Sequence, residues 1–206
     1  MVDSLWLWRS RISRRAVLRL GGLFAASGVA TSGVATLGTA PALAKSPAKP
    51  PRKLRPQRED RLVFANGARK GEIVRDRDVV LGAAPIQTWP FDAAADVIRD
   101  GSRLNRVLLL RVDMDGLSPK AAKRSAAGIV AYSGVCTHTG CDIEKWRPET
   151  RQLVCPCHGS RFDALDAAKV ASGPAPKPLA MLPIAVVDGE LRVVGAFSRR
   201  VGFQKP

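Results

Sequence analysis

All four cysteines and both histidines of the 206-residue chain fall between Cys136 and His158. They occupy two short boxes, Cys136-Thr137-His138-Thr139-Gly140-Cys141 and Cys155-Pro156-Cys157-His158-Gly159-Ser160. Each box offers a cysteine followed at short spacing by a histidine, and each leaves one further cysteine over. Two thiols and two imidazoles confined this tightly point to a bound metal centre or a crosslinked framework, and three chemistries compete. A tetrahedral zinc site accepts two Cys and two His, but zinc modules usually present a Cys pair and then a His pair, and Cys141 and Cys157 would then have no part. A pair of disulfides would use the thiols and ignore the histidines. An iron–sulfur cluster with His in place of Cys on one iron uses two residues of each kind.

The two boxes resemble those of Rieske proteins of the disulfide-containing type, found in quinol-oxidising complexes and in some small periplasmic subunits. Gly173-Pro174-Ala175-Pro176 is similar to the proline loop that packs over the cluster in that family. The resemblance implies one [2Fe-2S] cluster per chain, with Cys136 and Cys155 on one iron, His138 and His158 on the other, and a Cys141–Cys157 disulfide tying the loops together. A crosslink closing a loop of this length contributes about 3 kcal/mol. Ser160 sits where the family donates a hydroxyl hydrogen bond to a bridging sulfur.

Two residues depart from the family pattern. Phe162 replaces the tyrosine with which high-potential members bond a ligand cysteine, and Thr139 replaces a shielding leucine or methionine. Reduction potentials of this cluster class run from roughly −150 to +300 mV and depend on hydrogen bonds to the sulfurs and on exposure. A phenyl ring donates no hydrogen bond, so the expected potential lies below that of the quinol-oxidising members. A smaller residue at 139 is expected to leave His138 more accessible. Histidines that bind iron through one nitrogen and present the other to solvent can also couple proton loss to oxidation.

The formal net charge of +15 would ordinarily raise nucleic acid as a partner. Its distribution argues against one. Arg9, Arg11, Arg14, Arg15 and Arg19 precede a run of apolar and small residues from Leu20 to Ala44. Ser13-Arg14-Arg15-Ala16-Val17-Leu18 resembles a twin-arginine export signal, and Ala42-Leu43-Ala44 has the small-x-small form of a cleavage site. Residues 1–44 are therefore expected to be a helical signal peptide or signal-anchor. The run is long enough to span a bilayer of about 30 Å, but Gly, Ala, Ser and Thr dominate it, so its insertion would be weak. Residues 45–60, in which Pro47, Pro50, Pro51 and Pro56 alternate with Lys and Arg, read as an extended or disordered linker.

Residues 61–206 are expected to form the cluster domain, an all-β antiparallel sandwich with a small subdomain of two cluster-binding loops. Short apolar runs separated by turn residues predict strands at 62–64, 73–74, 107–112, 129–132, 152–154, 184–187 and 191–194. Asp188-Gly189 predicts a hairpin turn, and Ser118-Pro119 predicts a short helix over 117–127. Asp142 and Glu144 are expected to face solvent, and no catalytic triad or nucleotide-binding motif is present in the sequence. The expected function is electron transfer as the iron–sulfur subunit of a quinol–cytochrome c oxidoreductase-type complex, rather than catalysis by this chain alone. The partners implied are a quinol-binding cytochrome b or another oxidoreductase subunit and a c-type cytochrome, with membrane anchoring or a soluble periplasmic location both open and no nucleic acid. The alternative is a small electron-relay subunit of a periplasmic molybdenum oxidoreductase, of the arsenite-oxidase kind, or a free Rieske carrier.

Overall fold

In the computed structural model, residues 49–203 are described. The expected signal segment, 1–44, lies outside them. No helix among the described residues is long and apolar enough to cross a membrane.

The chain forms two antiparallel sheets. The larger is built from β1 (Arg61–Phe64), β2 (Ile86–Asp92), β3 (Val97–Ile98), β4 (Val107–Arg111), β5 (Ile129–Ser133), β10 (Ile184–Val187) and β11 (Glu190–Val193), in the order β10-β11-β1-β2-β4-β5 with β3 beside β2. The smaller has β6 (Lys145–Arg147), β7 (Gln152–Val154), β8 (Arg161–Asp163) and β9 (Lys169–Ser172) in sequential order. The fold is thus all-β and antiparallel, as the short apolar runs predict.

β4 and β5 are the hinge of the architecture, because both of their faces are buried. Val107, Leu109, Ile129 and Ala131 join Leu62, Ile184, Leu191 and Val193 in one core. Leu108, Leu110, Val130 and Tyr132, which point the other way in the period-two alternation of a strand, join Leu153 and Phe162 of the small sheet in a second core. Strands buried on both faces read as unbroken apolar runs, which is why these two are plain in the sequence. Asp188 and Gly189 both take positive φ, 53° and 73°, as a two-residue β10–β11 hairpin of the mirror-image type requires.

β2 escapes the sequence reading because Pro90 interrupts it and proline cannot donate to a ladder. Pro90 pairs with Leu62 of β1, at the point where the second partner of β2 changes from β4 at Thr88 to β3 at Phe91. The missing N–H therefore falls in a gap between partners. The helix expected over 117–127 is reduced to α1, Pro119–Ala122, capped by the Ser118 hydroxyl accepting from Ala121 N. It cannot continue, since Ala127 and Gly128 both have positive φ (49° and 74°) and turn the chain back into β5.

Residues 49–60 are not the free spacer that their composition suggests. Pro51 to Lys53 form a 3-10 turn, Gly101 N donates to Arg52 O, and Glu59 N donates to Val193 O. Asp60 is buried in an ion pair with Arg99 at 2.7 Å, and Arg99 also reaches Asp92. Charged residues in a proline-rich run look solvated when counted, but the backbone carbonyls between them are bound by side chains 48 and 51 positions away, which composition does not register.

Candidate metal centre

β5 runs directly into the first box, and the second box joins β7 to β8. The two boxes have the same backbone geometry. In the first, Gly140 N donates to Cys136 O at 3.1 Å and Cys136 N donates to Cys141 O at 2.8 Å. In the second, Gly159 N donates to Cys155 O at 3.1 Å and Cys155 N donates to Ser160 O at 2.9 Å. Each loop is closed by an antiparallel pair just outside it, Val135 with Asp142 and Val154 with Arg161. Gly140 and Gly159 hold φ values of 84° and 71° at equivalent positions, where a side chain would be strained.

The equivalence sorts the chemistry-bearing residues. Cys136 and Cys155 open their loops at matching positions, and both are buried and unbonded. Cys141 and Cys157 are joined in a disulfide. The imidazoles of His138 and His158 meet edge to face with ring centroids 4.7 Å apart. His138 is half-buried and His158 exposed, so the second loop, not the first, has the more open histidine. Thr139, beside His138, is itself exposed.

Two features of this arrangement fit a bound cationic cluster. His138 Nδ1 is buried with no hydrogen-bond partner, a cost that metal ligation removes. Burial pushes the Cys136 thiol up to about 11; the Cys155 thiol adds to the rise, against the opposing His138 backbone N–H and Ser160 hydroxyl. A thiol buried as Cys136 is becomes a thiolate readily where a metal ion supplies the compensating charge. The sulfurs of Cys141, Cys155 and Cys157 lie within 4.8 Å of one another, but Cys141 and Cys157 cannot serve as thiolate ligands beside Cys155, because they are bonded to each other.

The loop after β9 braces the site. Gly173, at φ 89°, lies so close that a Cβ on it would stand 2.6 Å from Ser160 Cα. Ala175 N donates to Ser160 Oγ at 3.1 Å, and Thr137 Oγ1 donates to Lys177 O at 2.6 Å. The proline loop therefore touches both boxes. Phe162 is fully buried in the same core as Cys136 and Cys155.

Three contributors are not visible in the sequence. Asp142, expected to face solvent, is held by Arg103 at 3.0 Å and by Arg106 at 2.8 Å. Arg103 also donates to Gly140 O, and the Arg106 guanidinium lies over the Trp89 ring at 5.3 Å. Residues 39 positions apart carry no local signal of their contact.

Residues 93–183 match the family model described as "Rieske [2Fe-2S] domain". The chain is 42% identical over 98 residues to a cytochrome bc1 complex Rieske iron-sulfur subunit of Streptomyces lividans, covering 47% of this chain and 58% of that protein. It is 41% identical over 106 residues to a putative respiratory nitrate reductase subunit Rieske of Haloferax mediterranei, covering 50% of this chain and 47% of that protein. The chain thus spans about half the length of these relatives. Among solved structures, the plasma membrane Rieske protein PetC3 of Synechocystis PCC 6803 is similar with a TM-score of 0.35 and 24% identity, covering 53% of this chain and 86% of that one. Both boxes, the strands between them and the whole proline loop, Gly173 to Pro176, fall inside residues 93–183, the segment that matches the Rieske [2Fe-2S] domain.

Proposed function

We propose that this chain is an electron-transfer subunit in which Cys136 and Cys155 hold one iron of a [2Fe-2S] cluster and His138 and His158 hold the other. The observation that supports it best is the pairing of two buried, unbonded thiols on equivalent loops with two adjoining imidazoles, while the remaining two cysteines are consumed in a disulfide. A bound cluster of this class takes up and gives back one electron at potentials between roughly −150 and +300 mV. The protein's part is to hold that centre in place and to control access to it. Ser160 Oγ, fully buried, accepts from Ala175 N and has its own proton free to donate toward Cys136. With Nδ1 of each histidine committed to metal, Nε2 is left to hold the proton. The thiols are sealed from water whereas His158 is exposed, so a redox partner meets the histidine end.

The complex favoured is of the quinol–cytochrome c oxidoreductase type, with electrons passing from quinol, at a cytochrome b subunit, to a c-type cytochrome. The identity to the Streptomyces subunit supports it. In this reading the N-terminal residues 1–44 direct twin-arginine export and residues 61–206 work on the periplasmic side, either anchored or soluble. The 41% identity to the Haloferax protein, against 42% to the Streptomyces one, supports the second reading, a relay subunit of another respiratory oxidoreductase.

Purified holoprotein, reduced with dithionite, should give the rhombic EPR spectrum of a mixed Cys/His [2Fe-2S] centre. A colourless protein containing zinc would overturn the cluster assignment. Extraction from native membranes then separates the two readings: co-purification with b- and c-type haems supports the first, and with a nitrate reductase or molybdenum subunit the second. Phe162→Tyr, which offers a new donor inside the core shared with both thiols, should raise the midpoint potential. Protein-film voltammetry showing an unchanged or lower potential would remove Phe162 from the account.

A further inference from the structure

The segment from Arg99 to Arg106 touches both the N-terminal segment and the first box. On one side, the fully buried Asn105 donates from Nδ2 to Leu54 O at 2.7 Å and to Arg99 O at 2.9 Å, and accepts from Arg55 Nη1 at 3.3 Å. Arg99 reaches Pro51 O at 3.3 Å, and Gly101 lies so near Arg52 that a Cβ would be 3.0 Å from its backbone. On the other side, Arg103 grips Gly140 O and Asp142, Arg106 grips Asp142, and Gly134 N donates to Arg106 O at 2.9 Å. Arg103 and Asn105 belong to one 3-10 turn. Their two sets of contacts are therefore separated by a rigid step of two residues.

We propose that this turn is a shared clamp that couples the seating of residues 51–60 to the conformation of the Cys136–Cys141 loop. Arg103 and Asn105 are its positioning residues. The second box has no such attachment among the described residues; its own support is the contact of its Ser160 with Gly173 and Ala175 of the proline loop. Any pull on the N-terminal segment, whether by export machinery, membrane or a partner, would then reach the first loop directly and the second only through the Cys141–Cys157 disulfide. The clamp stands on contacts within the chain alone. Its consequence for the redox centre rests on the ligand assignment proposed above: a guanidinium at Gly140 O favours the added electron, so its removal should lower the midpoint potential.

The test uses the full-length holoprotein and amide hydrogen exchange, with Cys155 and Gly159 as internal controls for Cys136 and Gly140. Arg103→Gln changes a side chain that is 57% exposed, so the fold is retained. It should speed exchange at Cys136 and Gly140 roughly three- to tenfold, leave Cys155 and Gly159 unchanged, and lower the potential. Arg103→Lys should restore most of the potential but less of the protection, because an ammonium keeps the charge without the fork. Asn105→Ala tests the coupling: with Arg103 intact, it should speed exchange at the first box as well. Arg55→Ala makes the same test from an exposed side chain, with an expected change of roughly twofold. The clamp is refuted if Asn105→Ala and Arg55→Ala leave Cys136 and Gly140 at wild-type rates, or if both boxes accelerate equally, which would be a loss of global stability. Failure of the cluster assignment would appear separately, in the EPR spectrum, with exchange rates unaffected.

Discussion

The two boxes share a backbone geometry, a disulfide and contact with the proline loop, and differ in the brace that each has for itself. Each is a hairpin loop opened by a buried cysteine and turned by a positive-φ glycine, with the same pair of internal hydrogen bonds. The first places its histidine third and its disulfide cysteine sixth; the second places a disulfide cysteine third, its histidine fourth and a buried serine sixth. The first is braced from outside by ion pairs through Asp142, which water and salt can reach. The second is braced from above by backbone packing of Gly173 and by the hydroxyl of Ser160. One loop geometry can thus be repeated to present two thiols symmetrically while its supports are built from different physics. Electrostatic supports yield gradually to ionic strength, whereas close packing fails abruptly when a group is added.

The most damaging single change should be at the packed support. In Gly173→Ala, the left-handed φ costs about 1 kcal/mol and the overlap with Ser160 Cα about 3 kcal/mol more. A loss of about 4 kcal/mol in urea denaturation, with the second box losing amide protection first, is expected. Wild-type stability would mean that the proline loop does not bear on Ser160. Next in size is removal of the bond that joins the boxes. Cys141→Ala with Cys157→Ala should cost about 3 kcal/mol, and it sharpens the comparison because each box then depends on its own brace. Added salt should lower protection of the first box in this variant more than of the second, as read by exchange in low and high salt.

Where the sequence succeeds and where it does not follows the same division. Residues close in the chain, the cysteine and histidine spacing, Asp188-Gly189 and the twice-buried runs of β4 and β5, carry their meaning locally, and the structure forms the elements they predict. The equivalence of Gly140 and Gly159 is also local: each stands four residues after the cysteine that opens its box. The braces are non-local. Asp142 looked solvated because its partners Arg103 and Arg106 lie on a turn that no apolar pattern marks. The short strands of the small sheet, such as β6 with its Lys145-Trp146-Arg147, show one apolar residue between two charges, too little alternation to be read. Residues 51–60 read as a free spacer for a related reason, since several of the groups that fix them are backbone carbonyls, identical in every sequence, and Asp60 finds its partner Arg99 far along the chain.

Ser160→Ala gives an intermediate effect on the second box. It leaves Ala175 N, in a buried position, without its acceptor and should cost about 2 kcal/mol. Thermal denaturation reads the loss, and Ser160→Thr, which keeps the hydroxyl, should recover part of it if the added methyl is accommodated. Equal stability of the alanine and wild-type proteins would transfer the brace from the hydroxyl to Gly173 alone.

The smallest effect tests the equivalence itself. Gly140→Ala and Gly159→Ala each force alanine into the left-handed region, at about 1 kcal/mol. Space does not distinguish them: a Cβ at 159 meets nothing within 4 Å, and one at 140 just touches Phe203 Cβ at 4.0 Å. The two substitutions should therefore cost the same to within about 0.5 kcal/mol when measured by urea denaturation. A clear excess at 140 would show that the Arg103 grip on Gly140 O tolerates less backbone movement than the open tip of the second box. The similarity of the loops would then hold for their hydrogen bonds but not for their stiffness, and the first box would be the rigid member of the pair.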